Sequence, residues 1–426
     1  MIFTEDQTMT ILILTVGGSH QPLVTSIQQL KPDMVYFLCS DDSMKIVNGE
    51  GNVLKSKQGI EKCDLPNVIT LTELSESQYS DDHIRNIKDF DSLKNCYKES
   101  FNLIQELHEK FPEARIIADY TGGTKSMSTG LAMSAIDDEK CEIMIVTGIR
   151  RDLIKVTDKT QTLHPVNVKS IQIDRGLKEA KKLLKRFDYA GTKDLLESLA
   201  VRYEMTEKLE RSIILCRAFE AWDIFDHESA LSLINIYRKD YIDYAMFVEA
   251  IINPGKGHGY EMVEDIVLNA ERRASQNRYD DAVARLYRAT EMLAQAKLKR
   301  YDINTSEVEI AKISNQALIS KFGKQADDKG KVKIGLRDAW DLLITIPQEV
   351  LTEHYNTYKC KMMTFLECRN SSILAHGIKP IDKSKYSSLR ESAISFIMDG
   401  IKKSYESESR SKRPFKRASQ LPVDFL

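Results

Sequence analysis

Arg369-Asn370-Ser371-Ser372-Ile373-Leu374-Ala375-His376-Gly377 sets an arginine and a histidine seven positions apart. Histidine titrates near neutrality and can move protons. Arginine can hold a phosphate and stabilise the charge that grows on it in a transition state. Together they form a kit for phosphodiester transfer without a metal, with Asn370 placed to orient a hydroxyl or the phosphate. On an unbroken helix both side chains would leave one face, about 10 Å apart along the axis, and Gly377 would lie just past the helix end. The same residues would also serve as the polar face of a surface helix with a C-terminal histidine, where a cation is favoured.

A second set lies in Asp119-Tyr120-Thr121-Gly122-Gly123-Thr124-Lys125-Ser126, between an apolar strand pattern and a helical one. Gly122 and Gly123 let backbone approach a ligand, and a helix start offers unpaired amides to an anion. Thr121, Thr124 and Ser126 add hydroxyls, and Lys125 adds a point charge. The Walker pattern fails, because Thr124 stands in place of the glycine before the lysine and Asp119 in place of the first glycine. ATP hydrolysis is disfavoured; phosphate binding and an ordinary tight turn stay open. Gly17-Gly18-Ser19-His20, after the first strand, would share the shelf if the first and fourth strands are neighbours. Its plainer reading is a helix cap with Ser19 as N-cap. His258 sits in the glycine-rich hinge, and His164 and His354 stand alone. Neither His-Glu-x-x-His, paired cysteines nor Gly-x-Ser-x-Gly occurs, so metal ligation and hydrolase chemistry of those types are not indicated.

The elements that must position these groups change along the chain. Ile11–Val16, Met34–Cys39, Val68–Thr72, Ala114–Asp119 and Cys141–Thr147 read as strands. Helices are expected from Pro22 to Leu30, Leu93 to Lys110 and Lys125 to Ile136. Near-continuous apolar strands alternating with helices predict a parallel sheet covered on both faces, a doubly wound α/β domain over 1–165. Beyond about residue 175 helical patterns take over: Leu177–Leu199, Ile213–Phe225, Ala230–Ile252, then a long one from Glu264 to Leu298. The Pro- and Gly-rich 253–259 marks a boundary. The reading is a helical connector over 166–260, a helical domain over 261–409 and a basic tail over 410–426. Residues 323–333 are expected to be a mobile loop, and 410–417 to be disordered.

Composition bounds the partners. The chain is 42% hydrophobic and 29% charged, with 61 Lys and Arg against 63 Asp and Glu and a net charge of −2. That excludes a chain-wide polycation but not a local basic groove. Seven scattered cysteines fit a reduced, cytoplasmic chain. Neither a signal segment nor an apolar run long enough for a bilayer is read.

The Leu14–His20 and Asp119–Met127 segments resemble the CARF sensor domain of CRISPR-associated proteins. Glu271–Ala274 and Arg278–Glu291 resemble the opening helices of the HEPN effector in the same proteins. Arg369-Asn370 through His376 is similar to the HEPN ribonuclease motif, here with six residues between arginine and histidine. The resemblance implies an ancillary effector of a type III CRISPR antiviral system and a Rossmann-like CARF domain joined to an all-α HEPN domain. It implies a homodimer that binds a cyclic oligoadenylate (tetra- or hexa-adenylate) on Gly17, Gly18, Ser19, His20, Asp119, Thr121, Gly122, Gly123, Thr124, Lys125 and Ser126. It further implies cleavage of single-stranded RNA to 2′,3′-cyclic phosphate and 5′-hydroxyl ends by Arg369, Asn370 and His376, with no metal, no cofactor besides the activating ring and no membrane partner. Ring-nuclease activity in the CARF domain is permitted by the hydroxyls. The competing reading is a regulator that senses the cyclic nucleotide, binds nucleic acid or protein through its helices, and cleaves nothing.

Overall fold

The structure, a computed structural model, describes residues 8–49, 52–54, 63–138, 140–149, 160–408 and 414–426. The chain divides into two compact units, the first ending at Asp174 and the second starting at Arg175.

The first unit runs β1 (Thr10–Thr15), α1 (Gln21–Leu30), β2 (Met34–Cys39), α2 (Asp41–Asn48), β3 (Asn52–Leu54), β4 (Cys63–Leu65), α3 (Val68–Thr72), β5 (Ile84–Asn86), α4 (Leu93–Lys110), β6 (Arg115–Asp119), α5 (Lys125–Asp138), β7 (Glu142–Thr147) and β8 (Thr162–Pro165). The sheet order is β5-β2-β1-β6-β7-β8. All neighbours are parallel except the edge strand β8, which pairs antiparallel with β7. Successive strand residues point to opposite faces. Ile11, Ile13, Ile116 and Ala118 pack with Leu103 and Ile104 of α4 and Leu131 of α5. Leu12, Leu14, Val35 and Ile117 pack with Leu23 and Ile27 of α1 and Val47 of α2. Two covered faces explain why the strands read as unbroken apolar runs.

The expected strand at 68–72 is a correction: Val68–Thr72 is the short helix α3. The Asn67 side chain accepts the Thr70 amide at 2.9 Å, and the Thr72 hydroxyl donates to the Val68 carbonyl at 2.7 Å. Local capping overrides the β preference of branched residues. The third parallel position falls to β5.

Helix α6 (Lys169–Leu184) spans the division, and the second unit continues through α7 (Tyr189–Tyr203), α8 (Glu207–Asp223), α9 (His227–Ile234), α10 (Ile242–Ile252), α11 (Glu261–Ser275), α12 (Tyr279–Lys299), β9 (Val308–Glu309), α13 (Gln316–Gly323), β10 (Lys331–Val332), α14 (Leu336–Leu343), α15 (Leu351–Asn370) and α16 (Lys383–Glu408). Three long patterns are each divided, the 230–252 one between α9 and α10. The 177–199 pattern breaks at Phe187 and the 264–298 pattern at Asn277, both in the left-handed region at φ 58° and 62°. The larger core centres on Trp340, whose indole stacks on Tyr355 and donates to the Thr290 carbonyl at 3.1 Å. A second gathers Tyr189, Phe219 and Trp222.

Two loop expectations are corrected. Within 323–333, β10 pairs with β9, and the Asp327 carboxylate accepts the Lys329 and Lys331 amides. Within 410–417, residues 410–413 lie outside the described residues, but 414–426 are packed: Phe415 lies against His258 and Tyr405, and Leu421 is buried in the second core. Tyr189 and Tyr244 donate their hydroxyls to the Pro422 and Gln420 carbonyls. Apolar residues after the basic run, Leu421, Val423 and Phe425, supply the burial that holds it.

Candidate functional site

Strand β1 has β2 on one side and β6 on the other, so the order in which strands are added reverses between β1 and β6. A crevice opens at the carboxyl ends of strands at such a point. Both glycine loops lie there, as expected if the first and fourth predicted strands were neighbours. They are pressed together: a Cβ on Gly17 would come within 2.7 Å of the Gly123 amide nitrogen, and one on Gly122 within 2.1 Å of the Thr15 carbonyl. Gly123 adopts φ +82°, which only glycine holds without strain. The Thr15 hydroxyl donates to the Gly122 carbonyl at 2.7 Å and ties the loops.

The hydroxyls offered to a ligand by the sequence are turned into the protein. Thr121 donates to Asp119 and accepts the Val146 amide at 2.7 Å. Thr124 donates to the Phe90 carbonyl at 2.8 Å and Ser126 to the Asp91 carbonyl at 2.7 Å. Asp119 is buried and accepts from Ser26, the Thr121 hydroxyl and the Thr121 amide. Burial raises its pKa, with these bonds opposing. These four residues therefore shape the shelf from within. Gly18, Ser19 and Lys125 are its exposed members. His20, not Ser19, caps α1, and it does so without a side-chain bond. Its buried ring leaves Nε2 without a hydrogen bond, and burial lowers its pKa, which favours the neutral imidazole. Neither α1 nor α5 carries an acid in its first turn, and α5 begins on Lys125. The amino ends thus keep their positive potential for an anion. The Phe90–Asp91 segment beneath the shelf had no signature in the sequence, since only the fold brings it to Thr124 and Ser126.

In the second unit, helix α15 ends at Asn370, so Arg369 and His376 are not on one continuous helix as expected. The hydroxyls of Ser371 and Ser372 donate to the Cys368 and Arg369 carbonyls, each at 2.8 Å, local bonds that compete with helix continuation. The chain folds back as a turn: the His376 amide donates to the Asn370 carbonyl at 3.3 Å and the Gly377 amide to that of Ser372 at 3.2 Å. A Cβ on Gly377 would stand 2.0 Å from the Ser371 carbonyl oxygen, so the turn requires glycine. His376 and Asn370 are exposed, and Arg369 is half-buried. Arg369 Nη1 donates to Asn370 Oδ1 at 3.1 Å, and its guanidinium lies over the Tyr287 ring, 4.2 Å from the centroid. Ile373, Leu374 and Ile378, in the same turn, are 59%, 49% and 85% exposed. No group of three or more metal-ligating side chains is gathered among the described residues.

Residues 253–399 match the family described as the Csm6 HEPN domain. That stretch is similar to a Csm6 HEPN domain. Arg369 and His376 both fall inside it. Enterococcus italicus Csm6 bound to cyclic hexa-2′-fluoro-hexa-dAMP has a similar fold, with a TM-score of 0.60 over 95% of this chain and 96% of its own at 15% identity. Can2 from Sulfobacillus thermosulfidooxidans in complex with cyclic tetra-adenylate aligns over 49% of this chain and 58% of its own, at TM-score 0.23 and 14% identity, too slight a likeness to carry an argument. A search of curated proteins found no match. An α/β unit followed in the chain by a helical unit that contains the HEPN match agrees with the fold class expected from the sequence. Among the described residues no helix is long and apolar enough to cross a membrane.

Proposed function

We propose that this protein is an endoribonuclease of type III CRISPR antiviral defence, switched on by a cyclic oligoadenylate and working as a homodimer. The observation that carries the reading is the Csm6 HEPN match enclosing the Arg369–His376 turn. The ring would sit on the β1/β6 shelf, where Gly17, Gly18, Ser19, Gly122 and Gly123 offer backbone, and Lys125 and two helix amino ends offer positive potential to phosphates. His20 would meet the ring as a neutral imidazole. Hexa-adenylate is the first ring to try, because the Enterococcus italicus Csm6 was bound to a six-membered analogue. A two-fold ring suits an isologous dimer. Ile373, Leu374 and Ile378 would be covered when two HEPN domains meet, bringing Arg369 and His376 of both copies to one composite site.

There the RNA 2′-oxygen would attack its own 3′-phosphorus, forming the O2′–P bond and breaking P–O5′. The 2′-hydroxyl proton leaves to a base, and O5′ takes a proton. His376 would make one of these transfers and Arg369 would meet the charge on the phosphoryl oxygens, while Asn370 holds Arg369 by its Oδ1. None of these roles needs a metal or a resident cofactor. Single-stranded RNA fits, since in-line attack needs a flexible backbone. The protons of Thr121, Thr124 and Ser126 are committed to protein acceptors, which leaves Ser19 as the exposed shelf hydroxyl for any cleavage of the ring itself. A fluorogenic single-stranded RNA assay with rings of three to six adenylates tests the reading. Cleavage should need a ring, persist in EDTA and fall by at least about a hundred-fold in His376→Ala, the scale of lost acid–base catalysis. Undiminished cleavage by that variant would falsify the assignment. No cleavage with any ring would favour the sensing regulator.

A further inference from the structure

We infer that Tyr287 is a positioning residue for RNA cleavage, its ring face holding the Arg369 guanidinium in a fixed plane while leaving that cation unneutralised. The inference rests on the proposed ribonuclease reading. The arginines on α11 and α12 and in the turn between them define a contrast. Arg272 and Arg273 are paired with Asp223, Arg278 and Arg285 with Asp281, and Arg288 with Glu291. Arg369 forms no ion pair among the described residues. Its side chain has one hydrogen bond, to Asn370 Oδ1, while Nε is shut from solvent without a hydrogen bond. What holds it is the Tyr287 ring at 4.2 Å. Tyr287 packs on the larger core, and its α12 neighbours Val283, Leu286 and Thr290 are buried, so the ring is anchored.

A carboxylate partner would fix the guanidinium by occupying its donors and cancelling its charge. An aromatic face fixes the plane and uses neither. A cation required to meet a pentavalent phosphate gains from that arrangement, because its orientation is set before the charge develops.

The test compares Tyr287→Phe, which keeps the face, with Tyr287→Leu, which removes it, in the full chain with saturating ring. Tyr287→Leu should lower kcat about ten-fold, the range of a partly desolvated cation–π contact, with KM changed less than about two-fold. Tyr287→Phe should restore kcat to within about two-fold. In 15N-labelled protein the Arg369 Nε–Hε resonance, assigned by its loss in Arg369→Lys, should be shifted by the ring current in the parent chain and in Tyr287→Phe, and not in Tyr287→Leu. If Tyr287→Leu lowers the melting temperature by more than a few degrees, Tyr287→Met, similar in volume and without a π-face, takes its place. Unchanged kcat on loss of the ring, or equal damage from Tyr287→Phe, overturns the inference while leaving the ribonuclease reading intact. A chain that cleaves RNA with no ring size ends both.

Discussion

Lys125 carries a positive charge at the amino end of α5, where an isolated helix prefers an acid. The placement is unfavourable until an anion arrives. Lys125→Ala should therefore weaken binding of the cyclic oligoadenylate by about ten-fold, the worth of one charge-assisted contact, without lowering the melting temperature. Calorimetric titration showing unchanged affinity would remove Lys125 from the shelf. Burial works on other side chains. The imidazoles of His20, His83 and His354 are buried and their pKa values lowered, desolvation being the largest cause in each. The folded state then binds fewer protons than the unfolded one. The stability these residues contribute is complete above the unfolded histidine value of about 6.5 and is lost as pH falls through the lower folded values. Asp119, with a raised pKa, acts in the opposite sense. Melting temperatures taken from pH 7.5 to 5 should fall. His354→Gln, whose amide can still donate to the Phe396 carbonyl that His354 Nε2 meets at 2.7 Å, should flatten the slope. An unaltered slope in that variant would remove His354 from the account.

At the scale of elements, one histidine depends on where a helix stops. Had α15 continued past Asn370, His376 would have stayed on the helix that bears Arg369. Ser371 and Ser372 end it, and Gly377 closes the turn against the Ser371 carbonyl. Gly377→Ala must displace that backbone. We expect cleavage to fall by about a hundred-fold, as for a catalytic group misplaced by about 1 Å, with ring affinity unchanged. Cleavage at the parent rate would show that the turn does not position His376. The turn is partly legible in the sequence: Gly377 suits the position past a helix end, whereas the two adjacent serines end the helix only through hydroxyls that bond locally. At 68–72 the β-branched residues favour a strand, and the Asn67 cap overrides them. The strand–helix alternation around β1, β6 and α5 was legible because burial on both sheet faces leaves an unmistakable apolar run.

At the scale of the molecule, the Arg369–His376 turn shows a patch that one copy leaves uncovered: Ile373, Leu374 and Ile378. Replacing Ile373 and Ile378 together by Asp should shift the chain from dimer to monomer in sedimentation velocity and abolish RNA cleavage, since each copy supplies half the proposed site. Dimers that persist with full activity would contradict the composite site. The C-terminal segment carries the same lesson inside the second unit. A run rich in Lys and Arg reads as solvated tail, yet the residues after it lock onto Tyr189, Tyr244 and Phe219. Its partners lie about two hundred residues away along the chain, where no local pattern could reveal them.

Periodicity and residue type alone were sufficient for the central strands β1, β2, β6 and β7, the switch-point loops and the arginine–histidine pair, because each is written in neighbouring residues. Which hydroxyls face a ligand, which ring supports Arg369 and where the last residues pack were decided in three dimensions. Hydrogen-bond satisfaction and burial are settled between segments far apart in sequence, and a side chain's chemistry is available for function only after those demands are met.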